Sequence, residues 1–386
     1  MKSTFYALTI GSDAGIFKDN INPTSKRFLE YCHRCGKHFT ICYTPPGYKA
    51  LTVDGRLEIF PTNSRNRLFF VPDAVLLGMK IIRRFKPKVI ITQDTFVFGL
   101  VGLILKKLSG LPLVVHYHSG FHTNNYWLAQ KGHHRLLALL GLFVSRCADA
   151  IRTVSTDIQR DLLAKGFDPN RVFYATPPVE SEGFLKVDKA KEEEIITRFN
   201  LNPLNTFAFV GRLSEEKNLP LMLRAVSRTV PKHPELRLLI IGKGPDENKL
   251  HNIVLEQGLE NYVIFVGHVP YDDLKNYIRA ASALLITSNY EGTAKVIKEA
   301  AFAGRTTIST NTSGVSDTIK DGETGFIVPI GDERILSMAM DDLLSHPEKA
   351  VSMGFRAREH ILENFSYEKG VDRIVAVWKC AVASKK

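Results

Sequence analysis

The sequence predicts an α/β protein made of two doubly wound, parallel-sheet domains that face a central cleft. Short β-rich runs alternate with helical stretches, which is the pattern of βαβ units. The whole cycle restarts near residue 206, after a Pro-Pro step and a charged stretch. A length of 386 residues is long for one core and suits two.

In the first cycle the expected strands are 6–10, 39–43, 88–92 and 113–118. Residues 11–22, rich in Gly, Asp and Asn, form the loop after the first strand. Thr24 is placed to cap a helix that runs to Cys35, and Gly36 to stop it. An apolar helix over 96–107 joins the last two strands. The second cycle has strands at 206–210, 237–241, 263–266, 283–287, 306–309 and 325–328. The expected domains are therefore 1–180 and 204–365, joined by a linker over 181–203 behind Pro177 and Pro178 and followed by a tail over 366–386. Ligands of doubly wound sheets sit at the carboxyl ends of strands, so the loops after each strand are the place to seek chemistry.

The composition, 44% hydrophobic and 24% charged, excludes disordered and fibrous classes. No apolar run approaches the roughly 18–20 residues that span a bilayer. The opening MKSTFYALTI, followed by GSDAG, reads as a first strand and not as a signal peptide. Five cysteines (Cys32, Cys35, Cys42, Cys147 and Cys380) are few and odd in number, which fits a reducing, cytoplasmic location. Cys32 and Cys35 have the spacing of half a zinc site, but nothing completes it, so they read as a structural pair near a helix end.

The net charge of +11 is uneven. Residues 1–180 hold 24 Lys and Arg against 12 Asp and Glu, whereas the remainder holds 27 against 28. A basic first half suits nucleic acid, an anionic membrane surface or a phosphate-bearing acceptor, or else a lysine-rich solvated surface. Residues 71–87 mix apolar side chains with Lys80, Arg83, Arg84 and Lys86. That pattern fits an amphipathic helix on a membrane and equally a core-packed helix with a solvated face.

Glu291 and Glu299 stand eight positions apart after the strand that ends at Thr287. A helix starting near Lys295 puts Glu299 just over one turn inside and leaves Glu291 on the preceding loop. The backbone N–H groups of Thr293, Ala294 and Lys295 then form an anion site at the positive end of the helix dipole. The carboxylates themselves suit hydroxyls, because ionised carboxylates only accept hydrogen bonds and sugars offer paired donors. After the strand at 206–210, Gly211 permits a tight turn, and Arg212 and Lys217 supply two cations able to converge on a diphosphate. Ile241-Gly242-Lys243-Gly244-Pro245 repeats the strand-then-glycine turn, with Pro245 suited to a helix's first turn. Taken singly, each turn is equally a plain loop closure.

In this order and at these spacings, GRLSEEKN, IGKGPDENKL, VIFVGHVPYDDLKNYIRAASALLITSNYEGTAKVIKEAAFAGRTTISTNTSG and DGETGFIVPIGD resemble glycosyltransferase family 4. That is a retaining group with the GT-B fold of two Rossmann-like domains. The tail FSYEKGVDRIVAVW belongs to the likeness, and the resemblance implies a last helix that crosses back onto the first domain. It implies that Glu299 holds the ribose hydroxyls, that Glu291 faces the transferred sugar, and that Arg212 and Lys217 stabilise the departing diphosphate. Gly242, Gly244, Gly267, His268 and Val269 would line the base pocket, and Gly292, Thr293, Ala294, Lys295 and Val296 would surround the donor. This sequence departs from the family's usual Gly-Phe-Gly at Gly292-Thr293-Ala294, and from its EAMACG at residues 299–304. Small residues are kept where backbone meets ligand, so the departures bear on which sugar is taken and not on the reaction.

In the first half, residues 112–120 end a strand in a His/Ser/Gly loop. His118 matches a histidine that in this family points at the donor sugar, with His116 and His122 close enough to compete for the role. The three could instead be metal ligands, but alternate strand positions followed by a loop rarely give tetrahedral geometry. Gly15, in the loop after the first strand, resembles the family's flexible segment over the donor phosphates, and is equally a plain βα turn. The sequence has no Asp-X-Asp pair to carry a divalent metal, so neither metal nor cofactor is expected. The reading is a retaining, metal-independent hexosyltransferase that uses a UDP- or GDP-sugar and a glycan or lipid-linked acceptor, with no nucleic-acid partner. Peripheral contact with an anionic membrane stays open. The alternatives are a nucleotide-sugar epimerase of the same fold, or a non-catalytic basic adaptor on a relic scaffold.

Overall fold

In the computed structural model the residues described are 5–11, 14–17 and 23–384. The chain divides into two compact units, one of residues 1–177 with 368–386 and one of residues 178–367.

The first unit is built on β1 (Ala7–Ile10), β2 (His38–Cys42), β3 (Leu51–Val53), β4 (Leu57–Pro61), β5 (Val89–Thr92), β6 (Leu113–Tyr117), β7 (Ala150–Thr153) and β8 (Val172–Tyr174). They form one sheet in the order β3-β4-β2-β1-β5-β6-β7-β8, parallel except for the β3–β4 pair. Its helices are α1 (Pro23–Cys35), α2 (Phe70–Phe85), α3 (Val97–Ser109), α4 (Asn125–Gln130), α5 (His134–Cys147) and α6 (Thr156–Ala164). Strands β3, β4, β7 and β8 were not among the expected ones. Thr24 lies inside α1 and does not cap it, because the helix already begins at Pro23. The helix α3 is capped as its position demands: Asp94 Oδ1 accepts from the N–H groups of Phe96 and Phe98 at 2.8 and 3.1 Å.

The two faces of this sheet differ. One is a conventional apolar layer in which Leu8, Ile10, Phe39, Ile41, Ile90 and Val115 pack against α2, α3 and α5. On α2 the inward side is Phe70, Ala74, Gly78 and Ile81, so the apolar face of that helix is committed to the core. On other strand positions the side chains are Thr9, His38, His116 and Arg152, polar and yet buried. Thr9 Oγ1 and His38 Nε2 are 2.9 Å apart, and Arg152 Nε donates to the Ala175 carbonyl at 2.7 Å. The two nitrogens of His116 meet the Trp378 indole N–H and an Arg152 guanidinium N–H, both at 3.3 Å. A neutral imidazole accepts at one nitrogen only, so one of these contacts sets a donor against a donor. Burial drives His116 well below the usual histidine range, His38 down to about 3 and Arg152 down to about 10.

The second unit contains β9 (Thr206–Val210), β10 (Arg237–Ile241), β11 (Val263–Gly267), β12 (Ala283–Ile286), β13 (Thr306–Thr310) and β14 (Phe326–Val328). They form a fully parallel sheet in the order β11-β10-β9-β12-β13-β14. Helices α7 (Glu182–Leu185) and α8 (Lys189–Arg198) fill the stretch expected as a linker. Phe184 and Ile195 are buried in this unit's core, so residues 181–203 are part of the domain and not a spacer. The remaining helices are α9 (Leu219–Thr229), α10 (Glu247–Glu256), α11 (Tyr271–Arg279), α12 (Lys295–Phe302), α13 (Glu333–Ser345) and α14 (Pro347–Asn364). Both faces of this sheet are apolar. Phe207, Phe209, Leu238 and Ile240 point one way, and Ala208, Leu239, Ile241 and Leu284 the other. Burial on both faces is what gives parallel strands their unbroken apolar runs, and it is why they were readable from sequence.

The last helix, α15 (Tyr367–Ala383), packs within the first unit. Its Trp378 is fully buried, with ring centroids 5.0 Å from Tyr31, and its Asp372 accepts from Arg34 Nε at 2.8 Å. Cys32 and Cys35 are free thiols buried at the end of α1, and burial pushes each up to about 12. No helix among the described residues is long and apolar enough to cross a membrane. Because Trp378 covers the polar face of the first sheet, Trp378→Ala is expected to cost about 3–5 kcal/mol. The check is chemical denaturation followed by circular dichroism. A midpoint unchanged from wild type would show that α15 does not hold that face.

Candidate active site

The second sheet reverses its winding between β9 and β12, the place where open parallel sheets open a crevice beyond their carboxyl ends. The loops that leave these two strands carry Arg212 and Lys217 on one side and Glu291 on the other.

The glycines of the neighbouring loops are set by close backbone approach. Gly211 N–H donates to the Ile241 carbonyl at 3.0 Å, Gly242 N–H to Gly267 at 2.8 Å, and Leu213 N–H to Lys243 at 3.1 Å. The loops after β9, β10 and β11 are thereby joined. A Cβ on Gly242 would lie 1.8 Å from the Gly211 carbonyl oxygen, and one on Gly244 would lie 2.0 Å from that of Leu213. No side chain fits at either position, so a close-packed peptide surface faces the crevice edge.

The loop after β9 is then tied to the loop after β12. Glu215–Lys217 form a 3₁₀ turn, and Asn218 adopts the left-handed conformation, φ +48°, that turns the chain into α9. Asn218 Nδ2 donates to Asn289 Oδ1 at 3.0 Å, Asn289 N–H to the Glu216 carbonyl at 2.8 Å, and Thr287 Oγ1 to the Lys217 carbonyl at 2.9 Å. Within this frame Lys217 Nζ meets Glu291 Oε1 at 2.5 Å, both largely buried. Ser288 Oγ donates to the same oxygen at 2.8 Å. Arg212 stands exposed at the head of its loop, with no ion pair among the described residues.

Helix α12 starts at Lys295. Its N-cap is Ala294, which has no side-chain oxygen to satisfy the first N–H groups. That leaves donors and the positive end of the helix dipole open to an anion. Glu299 is buried in the second turn and accepts from the Tyr271 hydroxyl at 2.9 Å. Burial raises its pKa, while Lys295 and the Tyr271 hydrogen bond act in the opposite direction. The Tyr271 hydroxyl is itself raised, by burial and then by the Glu299 charge.

The residues singled out from sequence in the second half fall at the end of β11 (Gly267), on loops leaving β9 to β12, or on the first turns of α12. His268 and Val269 follow β11, the first exposed and the second packed against the core. Gly292, Thr293 and Val296 are part-buried around the start of α12, and Lys295 is exposed there. His118 and Gly15 lie in the first unit, after β6 and β1. His118 is exposed, its Nε2 is 3.1 Å from Gln93 Oε1, and its pKa is lowered by desolvation from the protein around it and then by Arg152 and Arg27. Gly15 sits in a short 3₁₀ turn, Ala14–Phe17, whereas Ser12 and Asp13 of the same proposed segment lie outside the described residues. Sequence reasoning missed Ser288, Asn289 and Asn218, whose roles depend on pairing across the switch point. It also missed Tyr271, which reaches Glu299 from a separate helix and has no local signal. Among the described residues, no group of three His, Cys, Asp or Glu side chains is placed to hold a metal ion.

Residues 191–360 match the family profile described as "Glycosyl transferases group 1", and residues 26–182 match that described as "Glycosyltransferase Family 4". The chain is 27% identical over 298 residues to D-inositol 3-phosphate glycosyltransferase of Rhodococcus jostii, covering 74% of this chain and 65% of that protein. In structure it is similar to sucrose-phosphate synthase from Thermosynechococcus elongatus, with a TM-score of 0.82, 20% identity and coverage of 98% and 100% of the two chains. It is also similar to Anabaena HepE in complex with UDP and glucose, with a TM-score of 0.76, 14% identity and coverage of 97% and 99%. Two family profiles cover the two halves in turn, on a pair of parallel-sheet domains shared with these proteins: the chain belongs to the group 1 glycosyltransferases of the GT-B fold and is a transferase enzyme.

Proposed function

We propose that the protein transfers a hexose from a UDP- or GDP-sugar to a glycan or lipid-linked acceptor, with retention of anomeric configuration and without a metal ion. The observation that carries this reading is the switch point of the second sheet. There two cations, a carboxylate and an uncapped helix N-terminus occupy the two loops that flank the winding reversal. The UDP and glucose bound by Anabaena HepE lend support to a donor of this chemical class.

In this reading the β-phosphate lies against Arg212, Lys217 and the free N–H groups at the start of α12. The acceptor hydroxyl oxygen bonds to the anomeric carbon on the face from which the diphosphate departs. The bond from that carbon to the diphosphate oxygen breaks, and its electron pair leaves with the nucleoside diphosphate. The hydroxyl proton passes to the departing phosphate oxygen. Fixed positive groups are suited to that step, since they need no reorganisation as charge develops. Glu291 Oε1 is occupied by Lys217 and Ser288, which leaves Oε2 for a hydroxyl of the transferred sugar. Glu299 Oε1 is likewise held by Tyr271, which leaves Oε2 for the ribose. Neither carboxylate acts as a nucleophile, so the two-carboxylate scheme of retaining glycosidases does not apply.

Lys217→Ala is expected to lower turnover by about 10²–10³, the usual effect of losing one group that stabilises developing charge. Nucleotide thermal shifts test the donor class: UDP or GDP stabilises the wild type, and EDTA changes neither the shift nor turnover. Dependence on added divalent metal, or an inverted anomer in the product by NMR, would refute the proposal.

Glu299→Gln separates binding from stability. The folded-state pKa of Glu299 is raised, so the folded protein holds this proton more tightly than the unfolded chain. Ionisation therefore takes stability away as pH rises through the raised pKa, and the wild type carries that burden at neutral pH. The neutral Gln is expected to raise the apo melting temperature at neutral pH while weakening nucleotide binding. In the wild type, nucleotide affinity declines on acidification sooner than an ordinary glutamate would cause. Calorimetric titration across the acidic range measures the decline. An affinity unchanged in the Gln variant would remove Glu299 from the ribose site.

A further inference from the structure

We propose that Tyr271 is a positioning residue for the carboxylate of Glu299, and that it thereby commits the site to ribonucleotide donors over 2′-deoxyribonucleotide ones. The role rests on the donor site proposed above, in which Glu299 takes the ribose, and adds to that site a residue from a separate helix.

Glu299 is 5% exposed, and the residues that follow it on α12, Ala300, Ala301 and Phe302, are buried and apolar. Lys298, its neighbour on the other side, stands over the Phe365 ring with its ammonium 4.5 Å from the centroid. Among the described residues, the titratable groups that act on the Glu299 carboxylate are Lys295, one turn earlier on α12, and Tyr271, the first residue of α11. The Tyr271 hydroxyl donates to Oε1 at 2.9 Å. Its ring is held from behind by Phe184 of α7, with centroids 5.5 Å apart at 69°. Both α7 and α11 pack against α12, so ring and carboxylate belong to one assembly of helices. The terminal torsion of a glutamate is soft, and one bound oxygen is what fixes the direction of the other. Burial, then Glu299, and lastly Glu180 and Asp272 raise the pKa of the hydroxyl, so it remains a donor at any working pH.

With Oε1 taken, Oε2 is left for the nucleotide, and its lone pairs suffice for both hydroxyls of a ribose. A 2′-deoxyribose would leave part of a buried charge without its donor. A site built to bond a hydroxyl rejects the analogue that lacks it, because the buried polar group is then unpaired. Tyr271 also favours the ionised form that accepts these bonds. Burial raises the pKa of Glu299, and Lys295 and then the Tyr271 hydrogen bond oppose the rise. Taking the hydroxyl away removes one of the two groups that keep the carboxyl ionised, so its folded-state pKa rises further. A phenylalanine fills the same space against Phe184 and does neither, which separates positioning from packing.

Calorimetric titration with UDP, GDP and their 2′-deoxy forms tests the proposal on the full chain. The wild type is expected to hold the preferred ribonucleotide roughly tenfold more tightly than its 2′-deoxy form. Tyr271→Phe is expected to bind the ribonucleotide roughly tenfold more weakly and the deoxy form as before, so that the preference collapses. Its ribonucleotide affinity should also fail at a higher pH on acidification, since Glu299 takes up its proton sooner, whereas loss of packing alone would leave that limb in place. NMR titration of the Glu299 side-chain carboxyl reads the same shift in the apo protein, without any nucleotide. An apo titration unchanged by Tyr271→Phe would overturn the positioning role even with the donor site intact. Absence of a ribose preference in the wild type would overturn the specificity whether or not the variant folds, and so would an equal loss of affinity for both forms. A wild type that binds neither UDP nor GDP, with the apo titration shifted as expected, would instead remove the donor reading and the ribonucleotide preference with it.

Discussion

The contact between Lys217 and Glu291 is the interaction on which the organisation of the second unit turns. It spans the point where the winding of the six-stranded sheet reverses, and it joins the two loops that reversal leaves apart. A lysine and a glutamate so close and largely out of water need a rigid surround, because desolvating two charges is repaid only when geometry and accessory hydrogen bonds are good. The surround is present in Ser288 on the carboxylate, Thr287 on the Lys217 carbonyl, and the Asn218–Asn289 pair beside them. The glycine contacts between the loops after β9, β10 and β11 extend the same edge. An anion entering this edge meets a cation already positioned by the fold.

The two units reach stability by different routes. The second buries an apolar layer on each side of its sheet, so its strands are hydrophobic throughout. The first has one such layer, and on its other side Ala7, Val89, Ile91 and Val114 are buried among polar side chains. Where Thr9, His38, His116 and Arg152 are buried, order depends on matching donors to acceptors, and the match is incomplete. Arg152 NH2 and His38 Nδ1 have no hydrogen-bond partner among the described residues. Burial answers part of this by keeping the histidines neutral, which removes charges that would otherwise repel the guanidinium.

Much of the fold, and the position of the candidate site residues at the carboxyl ends of the second sheet's strands, was legible in the sequence. The six strands of the second sheet fell at or within two residues of their expected positions, since a parallel strand buried on both faces leaves an unmistakable apolar run. Helix α12 begins at Lys295, the start that the sequence reading supposed. What was missed has physical causes. Strand β7 hides because Arg152 interrupts its apolar character, and β3 and β8 are three residues each, too short to show a period. Residues 181–203 read as a linker because α8 is charged on every side but one, and only Ile195 marks the face it buries. Tyr271 was invisible because its partner lies 28 positions away on another helix. In α2 the pattern could not separate a core helix from a membrane helix, since both need one apolar face.

A crystal structure of the protein with UDP tests the central claim most directly. Phosphate oxygens are expected within hydrogen-bonding distance of Lys217 Nζ and of the N–H groups that open α12, with the ribose hydroxyls on Glu299. UDP bound elsewhere on the second unit, with Lys217 still engaged only by Glu291 and α12 still uncapped, would contradict it.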